Sequence, residues 1–313
     1  KNISTGKQMI HKLAIHILLF IATLSMASAQ DTAADVKNTL TNLVTDETNR
    51  LATKGLSSML PQGSNVEVSI GSSETPSGKK LSGHVMFVAP IKQSENGVLF
   101  NQSQIGAYNV RGTSRATLNF GLGYRLMSKD ETYFTGVNSF FDIDAESNTR
   151  MSFGLEFKTS NFAANTNVYR RIGKSSNKVG VYTERVLDGH DMSIIGTLPY
   201  MPWADVAITR YQWDKFEANL SSKGTKLAAE LRLNNNIKFE FGVDDNNIDK
   251  KNSFATLMFT FPGDRRPTLA DGVISEKAFV DSNVRKDLLM KVRRNNRIVL
   301  ESKNVGVIIA RLD

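Results

Sequence analysis

From Asn65 to Phe261 apolar and polar residues alternate along the chain with a period of two. That is the spacing of a strand with one apolar and one polar face. The clearest window is "RATLNFGLGYRLM", Arg115 to Met127. Ala116, Leu118, Phe120, Leu122, Tyr124 and Leu126 share one face, and Thr117, Asn119, Gly121, Gly123 and Arg125 share the other. Met151, Phe153, Leu155 and Phe157 oppose Ser152, Gly154, Glu156 and Lys158. Leu227, Ala229, Leu231 and Leu233 oppose Lys226, Ala228, Glu230 and Arg232. Ile237, Phe239, Phe241 and Val243 oppose Lys238, Glu240, Gly242 and Asp244. The pattern predicts twelve strands, at 65–71, 81–90, 97–110, 114–127, 132–143, 149–158, 161–172, 189–199, 203–213, 224–233, 237–245 and 252–261. In 203–213 both faces carry large residues, so its phase stays open. The last strand sets Ala255, Leu257, Phe259 and Phe261 on one face and ends in an aromatic residue.

The flanks follow a different spacing. Val36, Leu40, Leu43, Val44, Leu51, Leu56 and Met59 recur at three- and four-residue steps, which predicts a helical segment ended by Gly55 and Pro61. After Phe261, Pro262 to Gly272 is rich in turn residues. Residues 275–292 read as a helix with Ser275 as its cap and Phe279, Val284, Leu288, Leu289 and Val292 apolar. Residues 293–313 read as extended.

An apolar strand face can meet a protein core or lipid. Most predicted strands are near ten residues, and a tilted strand needs about 9–11 to cross a bilayer. The even-numbered connections, such as 128–131, 159–160 and 234–236, are mostly short. The odd-numbered ones, such as 72–80, 173–188 and 214–223, are mostly longer, with 111–113 as an exception. Short turns on one side and longer loops on the other mark an outer-membrane barrel. The polar faces carry Arg125, Glu156, Lys158, Glu230, Arg232, Lys238 and Glu240, which suits a polar lumen. Leu118, Phe120, Leu122, Phe153, Leu155, Phe239, Phe241 and Phe259 are the expected lipid-facing residues. Trp203, Trp213, Tyr133, Tyr200 and Tyr211 fall near strand ends, as an interfacial aromatic girdle would. The competing reading is a secreted soluble β-sandwich or barrel.

"MIHKLAIHILLFIATLSMASAQ" adds an export signal: a basic start, an apolar run from Leu13 to Leu24, and Ala27-Ser28-Ala29 as the cleavage site. The expected divisions are a signal peptide at 1–29, a periplasmic helical segment at 30–62, the barrel at 63–262, and a linker or plug at 263–313. The signal holds three lysines and no acid, so the net charge of +8 falls to +5 without it. That is too mild to argue for nucleic acid. From Asp264 onward eleven Lys and Arg face seven Asp and Glu, so a basic tail inside an acid-bearing lumen is electrostatically sensible. Twelve strands leave room for such a segment.

Five stretches together resemble the translocator domain of inverse autotransporters, the intimin and invasin family. They are Asn119 to Arg125, Gly136 to Asp142 ("GVNSFFD"), Glu184 to Val206, Pro262 to Leu269 ("PGDRRPTL") and Lys291 to Lys303 ("KVRRNNRIVLESK"). The resemblance implies a twelve-stranded all-β transmembrane barrel in a Gram-negative outer membrane, inserted with the barrel-insertion machinery and periplasmic chaperones. It further implies a plug helix at 275–292, and a pore linker that includes Leu288, Arg293, Arg294 and Arg297 and carries a C-terminal adhesin-type passenger outward. Within the 313 residues no passenger and no N-terminal peptidoglycan-binding module is recognisable, and an adhesion target stays unknown.

Chemistry is sparse. Cysteine is absent, and His84 and His190 are the two histidines beyond the signal, so neither a metal site nor a cofactor is expected. Gly173-Lys174-Ser175 lacks the upstream glycine of a phosphate loop. His190 between Asp188 and Asp191 reads as a strand start, and Asn138 and Asp142 as lumen hydrogen-bonding groups, so no enzyme is expected. Translocator and anchor, stand-alone channel, and soluble β-protein remain the three functional readings.

Overall fold

The computed structural model describes residues 63–75, 78–215, 221–248 and 250–304. The export signal and the helical segment expected at 30–62 lie outside the described residues. Fifteen strands are present among them. These are β1 (Asn65–Thr75), β2 (Gly78–Ser94), β3 (Gly97–Val110), β4 (Thr113–Met127), β5 (Tyr133–Asp144), β6 (Thr149–Thr159), β7 (Phe162–Arg171), β8 (Asn177–Val179), β9 (Tyr182–Val186), β10 (Gly189–Leu198), β11 (Met201–Trp213), β12 (Ser222–Arg232), β13 (Ile237–Asn246), β14 (Lys250–Phe261) and β15 (Leu300–Asn304).

Twelve of them close an antiparallel barrel in chain order, with β14 returning to β1 through a register that opens at Val66↔Phe261. β8, β9 and β15 form a separate small sheet. The twelve barrel strands are the twelve that the alternation predicts. β4 shows why: Leu118, Phe120, Leu122, Tyr124 and Leu126 point outward and are 44–51% exposed, while Asn119 and Arg125 point inward and are 1% exposed. A closed ring also leaves no unpaired edge.

The open phase of β11 has a physical cause. Its register with β10 jumps from Thr197↔Asp205 to Leu198↔Met201, so a bulge separates Met201–Ala204 from the rest of the strand. A bulge re-aims side chains, and the two halves of β11 therefore follow different phases.

The connections 95–96, 128–132, 160–161, 199–200 and 233–236 share one end with the start of β1 and the finish of β14, here called the turn end. The opposite loop end is less extended than the sequence suggests. β1 and β2 absorb most of 72–80 and leave 76–77 between them, so 172–188 and 214–221 are the long connections there.

The helix expected at 275–292 does not form. That stretch is irregular, with one 3-10 turn at Val284–Asp287 after another at Leu269–Asp271. Phe279, Asp281, Ser282 and Asn283 are weak helix formers. The Val284 amide donates to Glu131 O (3.0 Å) rather than within its own segment. Arg125 and Gln102 likewise take up the backbone of Leu288, Met290 and Val292. With those groups satisfied by the barrel wall, an internal ladder is not required.

Candidate functional site

The site is the lumen, and the chain itself fills it. After β14 the chain runs round the turn end and meets all five turns. Asp264 N donates to Asn235 O (2.5 Å), and Ala270 N to Leu233 O (3.1 Å). Ser275 N donates to Tyr200 O (2.9 Å), and Tyr200 N to Ala278 O (2.8 Å). Asp281 accepts from Ser160 (3.4 Å) and Asn161 (3.3 Å). Arg285 pairs with Glu131 and donates to Glu95 O at 2.9 Å. The chain then turns inward.

The first layer it meets is apolar. Val284, Leu288, Leu289 and Val292 are buried against Met86, Val88, Val98, Phe100, Met127, Phe134 and Phe140 of the wall. This packing accounts for the apolar spacing in the tail without a helix.

The second layer is charged. Lys291 Nζ lies 2.7 Å from Glu67 of β1. Arg293 Nη2 lies 2.5 Å from Glu230 of β12. Arg294 grips Asp142 of β5 with two nitrogens, at 3.0 and 2.6 Å. Asp142 also accepts from Arg150 (2.9 Å) and Asn119 (2.7 Å). A carboxylate with no exposed surface needs such partners, because an unpaired buried charge is costly.

The linker backbone is held as closely as its side chains. Arg125 donates to Leu288 O (2.8 Å) and Met290 O (2.7 Å) while its other nitrogens bind Glu156 (2.8 and 2.9 Å). Val292 N donates to Gln102 (2.7 Å), and Asn165 and Asn167 both donate to Arg293 O (2.8 and 3.0 Å). Asn295 N donates to the Tyr169 hydroxyl (2.7 Å), which donates to Asp191 (2.6 Å). Arg150 donates to Asn295 O (2.7 Å) and Arg297 O (3.2 Å), and Asn119 to Asn296 O (3.0 Å). A cavity of about 70 Å³ remains beside this segment, lined in part by Lys158, Asp205, Lys238 and Arg293.

At the loop end the chain emerges as β15, which adds to the edge of β9 from Leu300↔Val186 to Asn304↔Tyr182. The β8–β9 hairpin is tied down through Glu184. Arg115 donates to it at 2.6 and 2.9 Å, Asn148 at 2.9 Å, and Arg111 lies 2.6 Å away.

The seven predicted lumen residues take separate partners. Arg125 and Glu156 bind each other, Lys158 lies 3.4 Å from Asp287, and Lys238 lies 2.7 Å from Asp264. Glu230 holds Arg293, Arg232 binds Asp205 at 2.5 Å, and Glu240 binds Lys226 at 2.7 Å. Leu288 sits in the apolar layer, Arg293 and Arg294 sit in the charged one, and the Arg297 carbonyl meets Arg150. Of the eight residues expected on the outer face, Leu118, Phe120, Leu122, Phe153, Leu155 and Phe241 are exposed there, and Phe239 and Phe259 are half-buried. Trp213 and Tyr211 do not belong to a girdle. Trp213 is buried against Tyr169 with ring centroids 5.0 Å apart, and Tyr211 donates to Asp244 at 2.7 Å. Glu67, Gln102, Arg150, Tyr169 and Asp205 carry no motif in the sequence. Their shared signal is the inward phase of their strands. His190 and Asp191, adjacent in β10, take opposite phases, with His190 exposed and Asp191 buried, so they form no catalytic pair.

A membrane protein from a study of in-meso crystallisation matches the fold with a TM-score of 0.58, at 19% identity over 76% of this chain and 100% of the other. The KdgM porin matches at 7% identity and TM-score 0.44, over 63% of this chain and 99% of the porin. The outer membrane phospholipase A from Escherichia coli matches at 10% and 0.41, over 64% and 93%. No curated protein matches the sequence significantly. The inverse autotransporter β-domain matches residues 20–261, most of the chain. The protein therefore belongs to the inverse autotransporter β-domain family and is a transmembrane β-barrel of a Gram-negative outer membrane.

Proposed function

We propose that this barrel exports and anchors a passenger joined to its C-terminal linker, and that it displays that passenger, an adhesin-type domain, on the cell surface. The observation that carries the reading is the path of the linker. It enters at the turn end, crosses the lumen between Leu288 and Ile298, and leaves at the loop end as β15. In outer-membrane barrels the short turns lie in the periplasm and the longer loops outside. On that orientation, whatever follows β15 is delivered to the outside. The outward Leu118, Phe120, Leu122, Phe153, Leu155 and Phe241 form the lipid face on this reading. Chaperones and the insertion machinery deliver the chain, with Phe261 closing the last strand. The barrel is a conduit and anchor, and it catalyses no reaction.

A tag placed after Asp313 in a diderm host tests the reading. An impermeant label should reach the tag on intact cells. Labelling that requires a broken outer membrane would leave the tail in the periplasm and favour a stand-alone channel.

A further inference from the structure

Lys291, Arg293 and Arg294 lie within four consecutive residues, yet their carboxylate partners come from three different walls. Glu67 is on β1, Asp142 on β5 and Glu230 on β12. Around the closed ring these strands stand four, five and three strands apart. The linker is thus held from three sides. An extended chain advances about 3.3 Å per residue. A one-residue slip would move all three bases away from their partners together, leaving Asp142 with Arg150 and Asn119, Glu67 with His84, and Glu230 with no ion-pair partner on the wall among the described residues.

The segment upstream is held differently. Between Leu269 and Asn283 the chain follows the rim mainly through backbone contacts, and Val273 and Ile274 are 61% and 77% exposed. The exposed Val273–Ile274 step leaves room for extra residues between the contacts that pin the stretch to the turns.

We infer that Glu67, Asp142 and Glu230 form a three-point receptor for the basic sequence Lys291-Val292-Arg293-Arg294, and that this receptor sets the position at which the linker comes to rest in the pore. The inference rests on the export reading and names the stop signal within it. The ligand class is a short basic peptide with bases at its first, third and fourth positions. The receptor reads those positions, and the length of chain between the last strand and the lumen is slack.

The chain has no cysteine, which makes a cross-linking test clean. Asn296 and Gln104 side chains meet at 2.8 Å, on the far side of the receptor from the slack segment. Cysteines at both positions should cross-link in the full chain folded in the outer membrane. Inserting Gly-Ser between Val273 and Ile274 should leave that cross-link at the same yield, with the extra residues taken up at the rim. If the pair stops linking after the insertion, the linker is positioned by length and the receptor idea falls.

Combining the insertion with Glu230→Lys should abolish the link, and adding Arg293→Glu should restore it. A link that survives Glu230→Lys, or one that the exchange does not restore in protein that still migrates as a folded barrel, would also overturn the receptor. The C-terminal tag keeps the two readings apart. A reachable tag with a sliding register removes only the receptor, whereas an unreachable tag with a fixed register removes only export.

Discussion

The inward face of β4 turns on two residues that have no side chain. A Cβ on Gly121 would run into the Phe140 ring, and one on Gly123 into the Phe100 ring. The glycines let those rings lie flat on the wall, where each carries a guanidinium: Arg294 sits 4.2 Å over Phe140 and Arg125 sits 4.5 Å over Phe100. Such desolvated cation–π contacts are worth about 1–2 kcal/mol each. Gly121→Ala should therefore destabilise the folded barrel by about 1–3 kcal/mol through overpacking, measured by urea unfolding in vesicles. Phe140→Leu in the same background should recover part of that loss. Leu122 lies between the two glycines and faces the other way, 45% exposed. Leu122→Arg should cost about 2–4 kcal/mol, as a charge does near the bilayer midplane of a barrel. If folding into vesicles is unchanged, Leu122 does not face lipid. Adjacent residues on one strand thus answer to different surroundings, and the period-two pattern records that difference.

At the scale of elements, that record is what makes the twelve long strands legible from sequence, and its length explains the exceptions. β8 has three residues and β15 five, too few for a period of two to stand out from a loop. The apolar spacing of Phe279, Val284, Leu288, Leu289 and Val292 imitates a helix, but four of those five are apolar because they fill gaps in the wall. The roles of Glu67 and Gln102 depend on what runs past them, which no local pattern contains. The latch formed by β8, β9 and β15 carries its own prediction. Arg111 and Gly112 make the β3–β4 turn with φ of 51° and 87°, and this aims Arg111 at Glu184 and over the Tyr182 ring at 3.9 Å. Burial alone would raise the Glu184 carboxyl. Hydrogen bonds from Arg115 and Asn148 and the charges of Arg115 and Arg111 outweigh burial and hold it below the ordinary value of 4.5. A carboxylate depressed by folding stabilises above its unfolded pKa, and that stability is lost as pH falls through the folded value. Amides of Leu300–Asn304 should therefore lose hydrogen-exchange protection on acidification, measured relative to amides of β4 in the same sample. Glu184→Gln should lower that protection at neutral pH and flatten its pH dependence. Equal behaviour of the two proteins in acid and at neutrality would mean that Glu184 does not govern the latch.

For the whole molecule, the lumen and linker are complementary in charge as well as in shape, so removing the linker has two consequences at once. The apolar layer loses Val284, Leu288, Leu289 and Val292, which opens the passage beside Phe100, Phe134 and Phe140. The charged layer loses Lys291, Arg293 and Arg294 from Glu67, Glu230 and Asp142. Asp142 keeps Arg150 at 2.8 Å, and among the described residues Glu67 keeps the His84 ring nitrogen at 3.3 Å. Glu230 has no ion-pair partner on the wall among the described residues. Arg125 loses two carbonyls but keeps Glu156. The vacated lumen therefore exposes three acids, Glu67, Asp142 and Glu230, against two bases, Lys158 and Lys238, which lose Asp287 and Asp264. A chain ended after Gly263 should conduct in planar bilayers where the full chain is closed, and its current should favour cations. The preference should be strong at about 0.1 M salt, where the Debye length is about 10 Å, and fade at 1 M, where it is about 3 Å. Glu230→Gln in the shortened chain should weaken the preference without changing the size of the opening. Equal conductance of full and shortened chains would show that the linker does not close the pore. An open pore that favours anions would leave the plug standing and refute the charge assignment of the wall.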